Sequence, residues 1–261
     1  MIRLSEVSRT FEGRAGRVEA LRGITLDVAE GEFVAVLGRS GCGKSTLLRL
    51  ISGLIPVSSG GITVADAPVT GPRRDIAMLF QRPALLPWRT VLDNVLLPVE
   101  IFGWKRADYR DRARDLLEVA GLAGFEKRLP HELSGGMQQR VSLCRSLIGD
   151  PRVMLMDEPF SALDALTREE LAGELQRVHM RNGATVVFVT HSIDEAVLLA
   201  DRVVVLSPRP GRVRKVVEVA IPRPRTLGRN AHLADVAQVS ADLHELLMER
   251  EQPATAGTKG R

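Results

Sequence analysis

The sequence predicts an α/β fold built on a mostly parallel sheet, with an antiparallel β part at its start and a helical part inserted further along. Three observations carry that prediction. Short runs of apolar and β-branched residues recur at Phe33 to Leu37 (FVAVL), Ile76 to Phe80 (IAMLF), Val153 to Met156 (VMLM), Thr185 to Val189 (TVVFV) and Val203 to Leu206 (VVVL). They are apolar throughout instead of alternating, which suits strands covered on both faces. Helix-like stretches alternate with them, and from Pro87 to Asp150 strand signals become sparse.

Each element has its own signal. Ile2 to Val7 and Ile24 to Val28 are strand-like with polar interruptions, as an antiparallel edge would be. FVAVL runs through GRSGCGKST into TLLRLISGL, a strand, a Gly-rich loop and a helix. Within Arg106 to Leu122, residues Tyr109, Ala113, Leu116, Leu117 and Ala120 fall on one helical face with charges opposite. After Pro222, PRPRTLGRN has the composition of a linker. Leu233, Val236, Leu243 and Leu247 then mark a short amphipathic helix before QPATAGTKGR, which reads as a disordered end. The expected organisation is one domain over residues 1–222, with a core of 1–86 and 150–222, a helical subdomain at 87–149, and a tail at 223–261.

The 261 residues are 44% hydrophobic and 26% charged, the balance of an ordinary globular chain. A formal charge of +4 reads as a solvated basic surface, and no nucleic-acid partner is expected. Cys42 and Cys144 form neither a metal-ligand spacing nor a dense disulfide framework, which points to a reducing compartment. MIRLSEVSRT lacks the apolar stretch of a secretory signal, and no run of about 18 apolar residues occurs. Any membrane role must therefore go through a partner. His131, His179, His232 and His244 show no ligand spacing and are expected on the surface.

Gly38-x4-Gly43-Lys44-Ser45 fits the P-loop pattern, in the strand–loop–helix context that the motif needs. Glycines let backbone N–H groups wrap phosphates, and the helix start adds a favourable dipole. Gly38, Ser40, Gly41, Cys42, Gly43 and Thr46 are thus candidate nucleotide-binding residues, with Lys44 placed for the β and γ phosphates and Ser45 for Mg²⁺. VMLMDEP is an apolar strand ending in two carboxylates. Asp157, at the strand's C-terminal end, is a candidate for the metal, and Glu158 for orienting and deprotonating the attacking water.

LSGGMQQR (Leu133 to Arg140) is a second Gly-rich turn opening a helix, although one nucleotide needs only one phosphate cradle. Together with the P-loop and VMLMDEP it resembles the ATP-binding subunits of ABC transporters, over about Ser5 to Val219. Further elements follow that family's order: Gln81 matches the Q-loop, SALD (Ser161 to Asp164) the D-loop, and His191 the switch histidine. Phe11 stands where an aromatic usually stacks on adenine. The resemblance implies a P-loop NTPase of the ABC ATPase type, binding ATP and Mg²⁺, with Gln81 also near the metal. It implies a head-to-tail homodimer in which Ser134, Gly135 and Gly136 serve the partner's ATP, and Asp164 and His191 border the nucleotide. Lys44, Gln81, Glu158 and His191 are the catalytic candidates. Met137 departs from the family pattern, which usually has Gln at that position.

The resemblance also implies integral-membrane permease subunits on the cytoplasmic face of the inner membrane, reached indirectly by a substrate-binding protein. Leu86, Trp88 and Trp104 are candidate permease contacts or core of the helical part. PALLPWRTVLDNVLLP and SPRPGRV look most like importers of nitrate, sulfonate, taurine or related small anions. Two other readings compete: an ATP-gated structural module on a membrane complex, and an ABC-type ATPase acting on nucleic acid. The second would need long coiled coils between Lys44 and Asp157, and no sustained heptads occur there. Cys42 is either a reactive thiol in the loop's positive field or a small residue at a permissive position.

Overall fold

A computed structural model of the chain describes residues 1–13, 16–161, 163–225 and 232–248. The chain opens with a long antiparallel hairpin, β1 (Ile2–Gly13) and β2 (Gly16–Val28). Then come β3 (Phe33–Leu37), α1 (Lys44–Ile51), β4 (Ser59–Val64), the two-residue β5 (Ala67–Pro68) and β6 (Ile76–Leu79). Helices follow: α2 (Val91–Val95), α3 (Leu97–Ile101), α4 (Arg106–Val119), a 3₁₀ turn at Pro130–Glu132 and α5 (Gly135–Leu147). The chain returns to the sheet with β7 (Val153–Asp157), α6 (Ala165–Asn182), β8 (Thr185–Thr190), α7 (Ile193–Leu199), β9 (Arg202–Leu206) and β10 (Val213–Glu218), and α8 (Leu233–Met248) comes last.

Two sheets result. A four-stranded antiparallel sheet has the order β2-β1-β4-β5, and a six-stranded sheet has the order β10-β9-β3-β8-β7-β6. The larger sheet is parallel except at its β10 edge. Its strands alternate between two cores, because successive side chains point to opposite faces. Phe33, Ala35 and Leu37 of β3 join Met154, Met156, Val186 and Phe188 in one core, covered by α6 and α7. Val34 and Val36 join Val153, Leu155, Val187 and Val189 in the other, covered by α1 and the antiparallel sheet. Burial on both faces is why these runs are apolar at every position.

A third core holds the helices between β6 and β7 together through Val91, Val95, Leu117, Val141, Cys144 and Ile148. The α4 stripe behaves as its spacing predicts: Ala113 and Leu117 are buried, with Tyr109 and Leu116 packed beside them. Helix α5 has two faces. Leu143 and Leu147 sit in the core of the large sheet, while Val141 and Cys144 sit in the helical core. It links the two parts by packing in both cores.

Two expectations need correction. His179 is not a surface group: it is buried edge-on against Phe33, and that burial lowers its pKa. The start of PRPRTLGRN is not solvated linker either. Arg223 pairs with Asp201, and buried Arg225 donates to the carbonyls of Val197, Ala200, Val219 and Ile221. Burial, reinforced by the Arg223 charge, pulls the Arg225 pKa down to about 10. The carbonyls it meets include those ending α7, which lack intrahelical partners. Of the two readings of Cys42, burial favours the small residue at a permissive position, because it pushes the thiol up more strongly than the Lys44 charge lowers it. Helix α8 packs Val236, Leu243 and Leu247 on the sheet core, and QPATAGTKGR lies outside the described residues.

Phe188 is fully buried between Phe33 and Phe160, with ring centroids at 5.8 and 5.7 Å. Phe188→Ala is expected to destabilise the chain by about 3–5 kcal/mol, measured by urea unfolding.

Candidate functional site

Parallel pairing sets the site. Leu37 lies opposite Thr190 and Asp157 opposite Val189, so β3, β8 and β7 end side by side. The loop leaving β3 wraps into α1, whose N-cap Gly43 has φ 107°. A Cβ there would come within 2.6 Å of Leu21, so only glycine fits both the dihedral and the space. Lys44 is buried and reaches back over the loop, donating to the carbonyls of Gly38 at 2.7 Å and Arg39 at 3.3 Å. Behind it, Ser45 Oγ donates to Asp157 Oδ1 at 2.9 Å.

Glu158 follows β7 with φ 44°, a left-handed conformation that costs a non-glycine residue energy. Its N–H donates to the Val189 carbonyl at 2.9 Å, which fixes the turn to β8. The carboxylate then stands between two groups: Lys44 Nζ at 3.6 Å and His191 Nδ1 at 3.3 Å. Gln81 Nε2 donates to Ser161 Oγ at 3.0 Å, and that hydroxyl donates to the Glu158 carbonyl at 3.0 Å. The side chain from β6 and the turn after β7 are thereby tied together.

Burial raises the Asp157 pKa, opposed by the Ser45 hydrogen bond, with the Glu158 charge raising it further. A carboxylate whose ionisation is opposed by burial gains from a cation. The Ser45 hydroxyl beside it is a hard oxygen, and the Gln81 amide lines the same cavity; oxygen ligands of this kind suit Mg²⁺. Among the described residues no group of three His, Cys, Asp or Glu converges on one point. A cation here would take its remaining ligands from phosphates and water, as Mg²⁺ commonly does.

These residues border an open cavity of about 500 Å³. Phe11, Val18 and Ala20 form one wall, and Ser40, Gly41 and the stretch from Gly43 to Thr46 line the cradle, with Gln81 and Glu158 beside them. Phe11 is 38% exposed, with the Arg9 guanidinium 4.6 Å from its ring centre. Gly38 and buried Cys42 shape the loop without lining the cavity, and Asp157 and His191 reach it through Ser45 and Glu158. Arg209, Val18 and Ala20 line it unforeseen. SPRPGRV marked the Arg209 segment in the sequence, but nothing there tied it to the loop.

The second Gly-rich turn lies elsewhere. Ser134 caps α5 by accepting from the Met137 N–H at 3.2 Å, and neither it nor Gly135 and Gly136 lines the cavity. Met137 packs on the helical core. Asp164 likewise caps α6 through Thr167 and stays outside the cavity. Neighbouring Ala162 lies outside the described residues. Trp104 stacks on Tyr109 with centroids 5.2 Å apart, whereas Trp88 is 72% exposed.

The sequence model of the ABC transporter family matches residues 21–161. An uncharacterized ABC transporter ATP-binding protein of Methanocaldococcus jannaschii is 47% identical over 224 residues, covering 86% of this chain and 84% of that one. A taurine import ATP-binding protein, TauB, of Burkholderia thailandensis is 49% identical over 208 residues, 80% of each chain. Among solved structures, a dimeric ATP-binding cassette in a post-hydrolysis state, bound to ADP and Pi, aligns with TM-score 0.76 and 33% identity. That alignment covers 85% of this chain and all of that one.

The raised Asp157 pKa gives a signed prediction. Unfolding lets this carboxyl ionise freely, so its charge at neutral pH costs the folded chain stability, and the cost fades as pH falls through the raised value. Asp157→Asn is expected to raise the melting temperature of the nucleotide-free chain at pH 7, with a smaller gain near pH 4. A lower melting temperature at pH 7 would contradict it.

Proposed function

The chain belongs to the ABC transporter family of ATP-binding proteins and is an ATPase, and on that premise we propose that it energises import of a small anion of the sulfonate, taurine or nitrate type. The single observation that carries the hydrolytic role is the row of Lys44, Glu158 and His191 above the phosphate loop. The taurine-import relatives support the anion class.

In this reading the adenine rests on Phe11 and the triphosphate lies along Gly38 to Thr46. Ser45 and Asp157, with Gln81 near, would hold Mg²⁺, which when bound would supply positive charge to offset that of the phosphates. Glu158 orients a water and accepts its proton as the oxygen attacks the γ-phosphorus. The bond to the β,γ-bridging oxygen breaks, leaving ADP and phosphate. Lys44 and His191 counter the charge on the γ-phosphate oxygens. The left-handed turn at Glu158 is the positional investment that this role requires.

Ser134, Gly135 and Gly136 lie off the cavity of their own chain and are assigned to the ATP of a second copy, head to tail, with Asp164 at the junction. A hydroxyl, exposed N–H groups and a helix start make an anion site. ADP lacks the γ-phosphate that this site would grip, so hydrolysis loosens the pair.

The permease contact is assigned to the segment after Gln81. An apolar groove of about 330 Å³ formed on both sides of Gln81 in sequence is lined by Met78, Phe80, Leu97, Ile101 and Phe102, together with Arg74 and Arg145. Trp88 is exposed nearby in sequence, whereas Trp104 serves the helical core. Among the described residues no helix is long and apolar enough to cross a membrane. On the strength of its family the chain is assigned to the cytoplasmic membrane face, held by its permease, with residues 87–149 as the helical subdomain that meets it.

Glu158→Gln is expected to reduce ATP turnover at least a hundredfold while ATP binding persists and dimers accumulate in MgATP, read by phosphate release and light scattering. An undiminished rate would remove Glu158 as the base. Ser134→Arg is expected to keep ATP binding and lose ATP-driven dimerisation, at a cost of about 1 kcal/mol in stability for the lost cap. Dimers forming as in the wild type would contradict the shared site.

A further inference from the structure

We propose that Arg209, presented by the turn between β9 and β10, is a nucleotide-binding residue that holds the phosphate loop and meets the phosphates of bound ATP. The inference rests on the reading of the cavity as the ATP site and adds a side chain outside the motifs that led to it.

The turn is built to hold one shape. Ser207 N–H donates to the Arg212 carbonyl at 3.0 Å, and Arg212 N–H donates back to Ser207 Oγ at 3.1 Å. It is docked on β2 as well: Gly211 N–H donates to the Ala20 carbonyl at 2.9 Å, and Arg22 N–H to the Gly211 carbonyl at 3.0 Å. On its other side it abuts the phosphate loop. A Cβ at Gly211 would stand 2.2 Å from the Cys42 carbonyl oxygen, so this position admits only glycine. The turn is thus a brace between β2, which carries the wall residues Val18 and Ala20, and the loop that wraps phosphate.

Arg209 projects from this brace. Its Nε–H donates to the Gly41 carbonyl at 3.2 Å, and its side chain lines the cavity. Among the described residues no carboxylate pairs with it. A guanidinium carries five N–H donors, and one is committed to Gly41. The others belong to an unneutralised cation pinned beside a loop shaped for phosphate. Arginine suits that task better than lysine, because its planar fork matches phosphate oxygens and is oriented by the first hydrogen bond.

The test is calorimetric titration of MgATP into the wild-type chain, Arg209→Met and Arg209→Lys, with nucleotide-free melting temperatures beside it. Arg209→Met is expected to weaken ATP binding about tenfold or more, in line with loss of a charged hydrogen bond. Arg209→Lys should recover only part of that affinity, because it keeps the charge without the oriented fork, with melting temperatures of all three close together. Wild-type affinity in Arg209→Met overturns the inference. Equal weakening in both variants also overturns it, because a brace on Gly41 alone would then account for the loss without phosphate contact. If the wild-type chain binds no ATP, the reading of the cavity falls, and this inference falls with it.

Discussion

One constraint orders the site: β8 is hydrogen-bonded in parallel between β3 and β7, so three strand ends lie in a row. Each end delivers a different group. From β3 comes the phosphate loop, from β7 the Asp157–Glu158 pair, and from β8 His191. A one-residue slip in either pairing would exchange the faces of every side chain in that strand. The fully apolar strands forbid no particular face, and register is instead held where the ends meet. The Glu158 N–H on the Val189 carbonyl and the Ser45–Asp157 hydrogen bond are two such ties.

A second consequence concerns the helical part. Its core is separate, but α5 contributes side chains to both cores. The start of α5 is the Ser134 cap, so the second Gly-rich turn is carried on the element that joins the two parts. Movement of the helical part relative to the sheet would carry that turn with it. A turn that lies off its own chain's cavity, on an element that also lines the apolar groove, suits a device that converts a nucleotide contact into motion.

Much of this was legible in the residues. Four of the five apolar runs are strands buried on both faces, which removes polar alternation, whereas IAMLF holds the partly buried edge strand β6; the P-loop sits where its context placed it. Phe11, Gln81, Glu158 and Lys44 all reach one cavity, as their order suggested. What stayed hidden depends on contacts between distant segments. Arg225 read as linker because its composition says nothing of the carbonyl ends of α7 waiting for it. His179 read as surface because its burial is decided by Phe33, far away in sequence. Arg209 was quoted within SPRPGRV, yet only folding brings it to Gly41. The hairpin of β1 and β2 outran its apolar cores because backbone pairing continues through polar residues such as Arg9, Thr10 and Glu12.

The central claim is that one chain supplies the cradle and a second copy supplies the serine–glycine turn. A crystal structure of the chain with Mg²⁺ and a non-hydrolysable ATP analogue tests it most directly. The account predicts the base against Phe11, the triphosphate along Gly38 to Thr46, and Ser134 to Gly136 of another copy on the γ-phosphate. A nucleotide fully enclosed by a single copy, with that turn facing solvent, would contradict it.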